Sequence, residues 1–201
     1  MGITGKLIEQ AKNPKGFAGK TMLKIMNSAH SSIMAWGLSK IHIYDNSIAL
    51  DIGCGGGKTI RMLLERIKNG TVYGLDYSAE AVGLSLHENK EAAQNGRVIV
   101  KQGSVSSLPF PEDRFDIVTA FQTHYFWPDL KNDVAEIYRV LKKGGQFLLA
   151  AELYKINYHM KEYKTRESMK KLLEDCGFIN INIFETKQNI CFVGEKATTL
   201  L

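Results

Sequence analysis

The stretch that most constrains the fold of this chain runs from Ile48 to Asp76. It consists of a short apolar run, a glycine-rich segment, an amphipathic stretch, and a second apolar run that ends on an acid. A strand, a glycine-rich turn, a helix and a second strand with a carboxylate at its end form the opening unit of a nucleotide-binding α/β sheet. We therefore expect the rest of the chain to support this unit or to cover it.

The spacing of the glycines distinguishes between three nucleotide-binding motifs. A phosphate-binding loop of the Walker type needs a glycine six residues before its lysine, and Ile52 stands at that place before Lys58. A dinucleotide fingerprint, G-x-G-x-x-G, that starts at Gly53 needs its third glycine where Lys58 stands. The pattern that fits is D-x-G-x-G-x-G, which is formed by Asp51, Gly53, Gly55 and Gly57.

This pattern resembles motif I of the class I S-adenosylmethionine-dependent methyltransferases. Asp76 follows Gly57 by 19 residues, a distance at which a carboxylate on the next strand can accept both hydroxyls of a ribose. Two further segments resemble the same family, namely the "LPF…FD" stretch of residues 108–116 and the sequence RVLKKGGQFLLA at residues 139–150. The resemblance covers residues 45–196.

The resemblance implies a Rossmann-like α/β fold, with a seven-stranded, mostly parallel sheet that ends in an antiparallel hairpin and has helices on both faces. We expect a single domain overall, with an N-terminal helical cap at residues 1–46 and the methyltransferase core at residues 47–201. Beyond the first unit, the patterns predict helices at 78–94, 129–141 and 165–176, strands at 97–102, 115–121 and 146–152, and a hairpin of strands 178–185 and 189–196. Residues 142–145 are expected to end the second of these helices, and the cap is expected to contain helices at 6–12 and 20–38.

The resemblance also implies which residues bind S-adenosyl-L-methionine. Its methionine moiety would be surrounded by Asp51, Gly53, Cys54 and Gly55, with Phe121 and Gln122 nearby. Asp76 would bind the ribose and Tyr77 would cover one face of the adenine, whose other edge Ser104 and Val105 would line. Ser104 departs from the acid that the family often has there. Cys54 is expected to be a small loop residue rather than a nucleophile.

The acceptor of the methyl group is expected just past the fourth strand, where open sheets place their ligands. His124 is the candidate general base, although it could equally be a packed or surface histidine. Tyr125 and Trp127 could form an acceptor pocket or belong to the core, and His30 and Tyr154 are further candidates for this pocket. Residues 154–160, which include His159, are expected to form a mobile loop over the site.

Charge and composition indicate which partners and which cellular location to expect for the protein. The formal net charge is +5, but lysines and arginines are scattered, so binding to nucleic acid is not favoured. The sequence predicts no membrane span and no signal peptide. Three widely separated cysteines indicate neither a disulfide framework nor a metal site. We expect a cytoplasmic monomer or homodimer.

The sequence therefore predicts an S-adenosylmethionine-dependent methyltransferase that acts on a small molecule. The N/D-P-P-aromatic signature of many methyltransferases acting on nucleic acid or protein glutamine is missing after the fourth strand. Three alternatives stay open: an NAD-dependent oxidoreductase, a non-catalytic cofactor-binding protein, and an RNA methyltransferase. Methyl transfer needs alignment and a dry site more than acid–base groups, because the leaving group is a neutral thioether.

Overall fold

The computed structural model describes residues 30–198, which form one seven-stranded sheet flanked by helices. The strands are β1 (Ile48–Ile52), β2 (Thr71–Asp76), β3 (Val98–Gln102), β4 (Phe115–Phe121), β5 (Leu141–Glu152), β6 (Phe178–Glu185) and β7 (Asn189–Lys196). The helices are α1 (Ser31–Leu38), α2 (Lys58–Leu64), α3 (Ala79–Glu88), α4 (Lys90–Gln94), α5 (Leu130–Val140), α6 (Leu153–His159) and α7 (Arg166–Asp175), and a single 3-10 turn covers His124–Phe126.

The order of strands in the sheet is β3-β2-β1-β4-β5-β7-β6. Strands β1 to β5 run parallel to one another, and β7 is antiparallel to both β5 and β6. The chain leaves β1 towards β2 on one side and later places β4 on its other side. The carboxyl ends of β1, β2 and β4 therefore meet at one edge of the sheet, around a point where the strand order reverses, and ligands bind at such points.

Side chains along the central strands point alternately to the two faces of the sheet, so that each face has its own apolar layer. In β5, Phe147, Leu149 and Ala151 belong to one layer, while Leu148 and Ala150 belong to the other. The first layer includes the buried faces of α5 and α7, and the second includes those of α1 and α2. Successive strand side chains point to opposite faces, so a sheet covered on both sides needs the nearly continuous apolar runs that this sequence has. The expected fold class is confirmed.

Three local expectations were wrong. The helix expected at 78–94 is two helices, because the side chain of Asn89 at the break donates to the carbonyls of Gly57 and Ser85. Residues 142–145 do not cap α5, since the backbone is already extended at Leu141, which pairs with Phe115. The segment expected as a mobile loop at 154–160 is mostly helix α6.

The N-terminal expectations are only partly covered by the described residues. Helix α1 (Ser31–Leu38) is the described portion of the helix expected at 20–38, and the helix expected at 6–12 lies outside the described residues. In the described part of the chain, none of the helices has both the length and the apolar character that are needed to cross a lipid bilayer.

Candidate active site

The turn between β1 and α2 is built on three glycines with left-handed backbones. The φ angles of Gly53, Gly55 and Gly57 are +68°, +52° and +79°, values that other residues adopt only at a cost. The amides of Gly53 and Cys54 both donate to the carbonyl of Leu75, at 2.8 and 3.1 Å, and so tie the turn to β2. The turn therefore presents a bare main chain at the carboxyl edge of the sheet.

Gly53 also lies against the segment that follows β4. A Cβ atom added to Gly53 would lie 2.4 Å from the hydroxyl oxygen of Thr123 and 2.8 Å from its Cβ. Only glycine lets these two pieces of chain approach so closely. The signal for this approach was present in the sequence as the first glycine of the turn, but nothing in the sequence identified Thr123 as its neighbour.

Asp76 ends β2 and connects the glycine turn to helix α3. Its Oδ2 atom accepts from the amide of Gly55 at 2.8 Å, and its Oδ1 atom accepts from the amide of Ser78 at 2.9 Å. Burial raises the pKa of this carboxyl above its ordinary value, although the two amides act against the shift. Each carboxylate oxygen can accept a second hydrogen bond. The remaining lone pairs suit two neighbouring hydroxyls, as a ribose has.

Asp51 is the second acid of the site, and it is almost fully buried at 2% exposure. The hydroxyl of Thr119, its register partner on β4, donates to Oδ1 at 2.7 Å. Burial raises the pKa of Asp51 to about 7, the negative charge of Asp76 adds to the shift, and Thr119 and Thr59 oppose it. A carboxyl with this pKa is ready to ionise when a cationic group, such as the ammonium of a methionine moiety, comes close.

Cys54 turns its thiol away from the edge of the sheet and into the layer of core under α2. Its sulfur atom would lie 3.0 Å from a Cβ added to Gly74, and the side chain is 5% exposed. Burial, with the charges of Asp76 and Asp51, raises the pKa of the thiol well above its ordinary value. A thiol that stays protonated is a poor nucleophile, which fits a residue that packs.

The residues expected around the adenine lie beyond the end of β2 and in the loop after β3. Tyr77 is exposed, with 66% of its surface open to solvent, and its carbonyl accepts from the side chain of Gln102. Val105 is buried, while the hydroxyl of Ser104 accepts from the amide of Ser106 at 3.2 Å. These placements bring Tyr77 and the 104–105 loop to the same edge of the sheet as Asp76.

Phe121 is the last residue of β4 and Gln122 follows it, and their side chains make different contacts. The ring of Phe121 packs on helix α1, where a Cβ added to Gly37 would lie 2.7 Å from its Cε1 atom. Gln122 has a left-handed backbone, with φ of +58°, and is 5% exposed. Its side chain bonds to Glu152 at the end of β5, at 2.8 Å from Nε2 to Oε2.

His124 is buried at 3% exposure, and neither of its ring nitrogens has a hydrogen-bond partner among residues 30–198. Its ring lies 5.4 Å from the ring of Tyr125 and 6.4 Å from that of Trp127, between centroids. Burial lowers the pKa of His124 to about 3, so the imidazole is neutral at physiological pH. A buried polar group without a partner is unusual in a folded protein.

Tyr125 and Trp127 each combine an apolar contact with a polar one. The ring of Tyr125 stacks on His159 of α6, with 5.1 Å between centroids, and its hydroxyl donates to Gln122 at 3.3 Å. The indole of Trp127 donates to Thr123 at 3.3 Å, and its ring packs on the core. The aromatic segment after β4 thus packs against α6 through Tyr125 and against the core through Trp127.

A polar cluster that the sequence did not reveal joins the end of β5 and helix α6 to the start of α1. Lys155 of α6 lies 2.7 Å from Glu152 and 2.7 Å from His30, which precedes α1. Burial lowers the pKa of His30 to about 4, with a further contribution from Lys155. Tyr154 is 64% exposed and its ring lies beneath the ammonium of Lys155, 5.7 Å from it. Of the residues in this cluster, the sequence suggested only His30 and Tyr154 as candidates for the acceptor pocket.

The family comparison agrees with this geometry. A family model described as "Methyltransferase domain" matches residues 50–149, which run from β1 to the middle of β5. Demethylmenaquinone methyltransferase of Lactiplantibacillus plantarum is 35% identical over 112 residues, which are 55% of this chain and 47% of that protein. The chain thus matches about half the length of that relative.

A second relative matches over nearly its whole length. The uncharacterized methyltransferase YdaC of Bacillus subtilis is 25% identical over 182 residues, which are 87% of this chain and 97% of that protein. Among solved structures, phosphoethanolamine N-methyltransferase 2 of Haemonchus contortus, in complex with phosphomonomethylethanolamine and S-adenosylhomocysteine, superposes with a TM-score of 0.71. It is 16% identical, and the match covers 83% of this chain and 52% of that one.

The glycine turn and Asp76 fit an adenosyl ligand, because the turn leaves no side chain in its way and the acid keeps lone pairs for a ribose. The fold, this edge of the sheet and the matching family point to the same cofactor, S-adenosyl-L-methionine. The chain therefore belongs to the class I S-adenosylmethionine-dependent methyltransferases.

Proposed function

We propose that this enzyme transfers the methyl group of S-adenosylmethionine to a small-molecule acceptor that binds beyond the carboxyl ends of β4 and β5. The observation that carries the proposal is the contact between Lys155 and His30, at 2.7 Å, which joins helix α6 to the start of α1. In this proposal the bridge lies over the acceptor side of the crevice and would confine the space there. A confined space favours a small acceptor over a folded RNA or a protein.

The residues of the glycine turn and β2 would hold the cofactor. Asp51 would face the methionine moiety, Gly53, Cys54 and Gly55 would contact it through their main chain, and Asp76 would bind the ribose. When bound, S-adenosylmethionine supplies an electrophilic methyl group on a sulfonium. The protein's part is to align the acceptor with that group and to keep water out, and alignment of this kind can contribute on the order of 7–11 kcal/mol.

Several residues lie where they could select and orient the acceptor. Tyr125 and Trp127 offer aromatic surface, and His30 and Tyr154 bring polar atoms from the opposite side. His124, neutral and without a partner in the described part of the chain, would accept a hydrogen bond from the acceptor, although its lowered pKa makes it a weak base for removing a proton. The relatives named above include a demethylmenaquinone and a phosphoethanolamine methyltransferase, which support a small acceptor without selecting one.

We also propose that residues 1–46 act as a cap over the crevice. The described part of this segment supports the idea, since helix α1 packs on Phe121 and His30 contacts α6. Excluding water from the crevice would be the physical role of such a cap, because charged and polar interactions strengthen when water leaves a site.

The test is a methyl-transfer assay with S-adenosylmethionine labelled on its methyl group. The full-length protein is offered a panel of quinols, phenols, amines and phospho-amines, and separately total RNA and protein. Label is expected in one small-molecule class, and Asp76→Ala is expected to abolish the transfer. Label in RNA alone would refute the small-molecule proposal, and cofactor binding without any transfer would support a non-catalytic protein instead. Binding of a nicotinamide cofactor in place of S-adenosylmethionine would favour an oxidoreductase.

A further inference from the structure

Gln122 combines three features that are rarely found together. It is not glycine, yet its backbone is left-handed, with φ of +58°, and it is 5% exposed. Side chains disfavour this conformation, and residues that adopt it persist only where their surroundings enforce it. Such residues cluster at functional sites, so the contacts that enforce the conformation are of interest.

Glu152, at the end of β5, supplies two of these contacts. Its Oε2 atom accepts from Nε2 of Gln122 at 2.8 Å, and its amide donates to Oε1 of Gln122 at 3.2 Å. The amide of Gln122 itself donates to the carbonyl of Ala150 at 2.9 Å. Glu152 therefore bonds to both the nitrogen and the oxygen of the Gln122 carboxamide, whose oxygen also accepts from the hydroxyl of Tyr125.

The carboxylate of Glu152 is itself held in place. Lys155, one helical turn further along the chain, lies 2.7 Å from the same Oε2 atom. The ammonium of Lys155 also reaches Nε2 of His30 at 2.7 Å. The side chains of Glu152 and Lys155 are only 28% and 16% exposed, so this pair is protected from much of the solvent screening that weakens surface ion pairs.

The conformation of Gln122 determines where the next residue lies. Thr123 is pressed against Gly53 so closely that a Cβ on that glycine would lie 2.4 Å from the threonine hydroxyl. Gly53 in turn begins the turn that binds the cofactor in the proposed function. A chain of contacts thus runs from Glu152 through Gln122 and Thr123 to the glycine turn.

We infer that Glu152 is a positioning residue for cofactor binding, which acts by holding Gln122 in its left-handed conformation and so sets Thr123 against Gly53. This inference rests on the proposed function, because it concerns the same crevice. Glu152 need not touch the cofactor or the acceptor. Its effect is transmitted through the side chain of Gln122, and loss of that side chain should make Glu152 dispensable.

The experiment compares the affinity of variants of the full-length protein for S-adenosylhomocysteine by calorimetry. Glu152→Ala is expected to weaken binding about tenfold or more, while Glu152→Gln, which keeps an oxygen for Nε2 of Gln122, should stay within about threefold of the wild type. Gln122→Gly, which suits the left-handed backbone but removes the carboxamide, should weaken binding about as much as Glu152→Ala. The double variant should be no weaker than the worse of the two single variants.

Glu195→Ala is the matched control. It removes a similar bond between β5 and β7, in which the side chain of Gln146 donates to Glu195 at 3.3 Å. Gln146 lies on β5, six residues before Glu152. This variant should leave the affinity unchanged. Thermal melting of every variant shows that binding is measured on folded protein.

The outcomes separate this inference from the proposed function. If the wild type binds no S-adenosylhomocysteine, both fail. If the wild type binds and Glu152→Ala lowers only the melting temperature, Glu152 is merely structural and the inference alone is overturned. Equal losses in Glu152→Gln and Glu152→Ala, or losses that multiply in the double variant, would also overturn it.

Discussion

Gly53 is a position of the glycine turn at which there is no room for a side chain. Gly53→Ala combines a left-handed backbone, at φ of +68°, with a clash against Thr123. We expect a loss of about 1–3 kcal/mol in the free energy of unfolding and at least a tenfold loss of affinity for S-adenosylhomocysteine. Gly83→Ala is the control, since a Cβ there meets nothing within 4 Å in helix α3, and it should stabilise the protein by about 0.5–1 kcal/mol. Unchanged binding in Gly53→Ala would contradict the close approach.

We expect the raised pKa of Asp51, about 7, to make cofactor binding depend on pH. Below this pKa the carboxyl is protonated in the free protein and must lose its proton to attract the ammonium of the methionine moiety. The affinity for S-adenosylhomocysteine should therefore rise as pH increases from 5.5 to 7, by up to about tenfold per pH unit, and then level off. Calorimetry across this range measures the effect, and Asp51→Asn should bind more weakly with a flat profile. A flat profile in the wild type would refute the role of Asp51.

The buried imidazole of His124 makes a distinct contribution to stability. Its pKa is about 3 in the folded protein, against an ordinary value of 6.5, so between these values the unfolded chain binds a proton that the folded chain does not. The stabilising effect is complete above pH 6.5 and is lost as pH falls, by about 1.4 kcal/mol per pH unit. Urea unfolding at pH 7, 6, 5 and 4 should show this slope as the difference between the wild type and His124→Gln. Parallel curves for the wild type and His124→Gln would contradict the buried neutral state of the imidazole.

At the start of helix α3, a single substitution can test the stability of the helix separately from cofactor binding. The hydroxyl of Ser78 accepts from the amide of Ala81, while the amide of Ser78 donates to Asp76. Ser78→Ala removes only the first of these, so it should cost about 1 kcal/mol of unfolding free energy and leave the affinity for S-adenosylhomocysteine within about threefold of the wild type. Chemical denaturation and calorimetry on the same sample measure both quantities. A large loss of affinity with no loss of stability would reverse this assignment.

The elements that the sequence predicted correctly are those with an unbroken pattern. Strand β4 and the hairpin of β6 and β7 have the expected bounds, because apolar runs and a short turn delimit them. The failures have local causes that pattern alone does not show. Asn89 bonds to the carbonyls of Gly57 and Ser85 and divides a continuous helical pattern, and α6 is a short helix whose aromatic and charged residues lack a clear apolar face.

At the scale of the whole molecule, the fold determines which residues of the site meet, and this limits what a sequence can reveal. Asp51, Gly53 and Asp76 lie in one short stretch with a recognisable spacing, so that stretch alone led to the proposed cofactor side. The proposed acceptor side brings together His30, Gln122, Glu152 and Lys155, which lie on three separate parts of the chain. No local pattern links them, and nothing in the sequence singled out Glu152 or Lys155.

We propose that the glycine turn and Asp76 form the binding site for S-adenosylmethionine. The decisive experiment is calorimetric titration of the full-length protein with S-adenosylhomocysteine, for the wild type and for Asp76→Ala. We expect one binding site per chain in the wild type, and an affinity at least tenfold lower in Asp76→Ala because the ribose loses charged hydrogen bonds. No binding to the folded wild type, or equal affinities for the two proteins, would contradict the account.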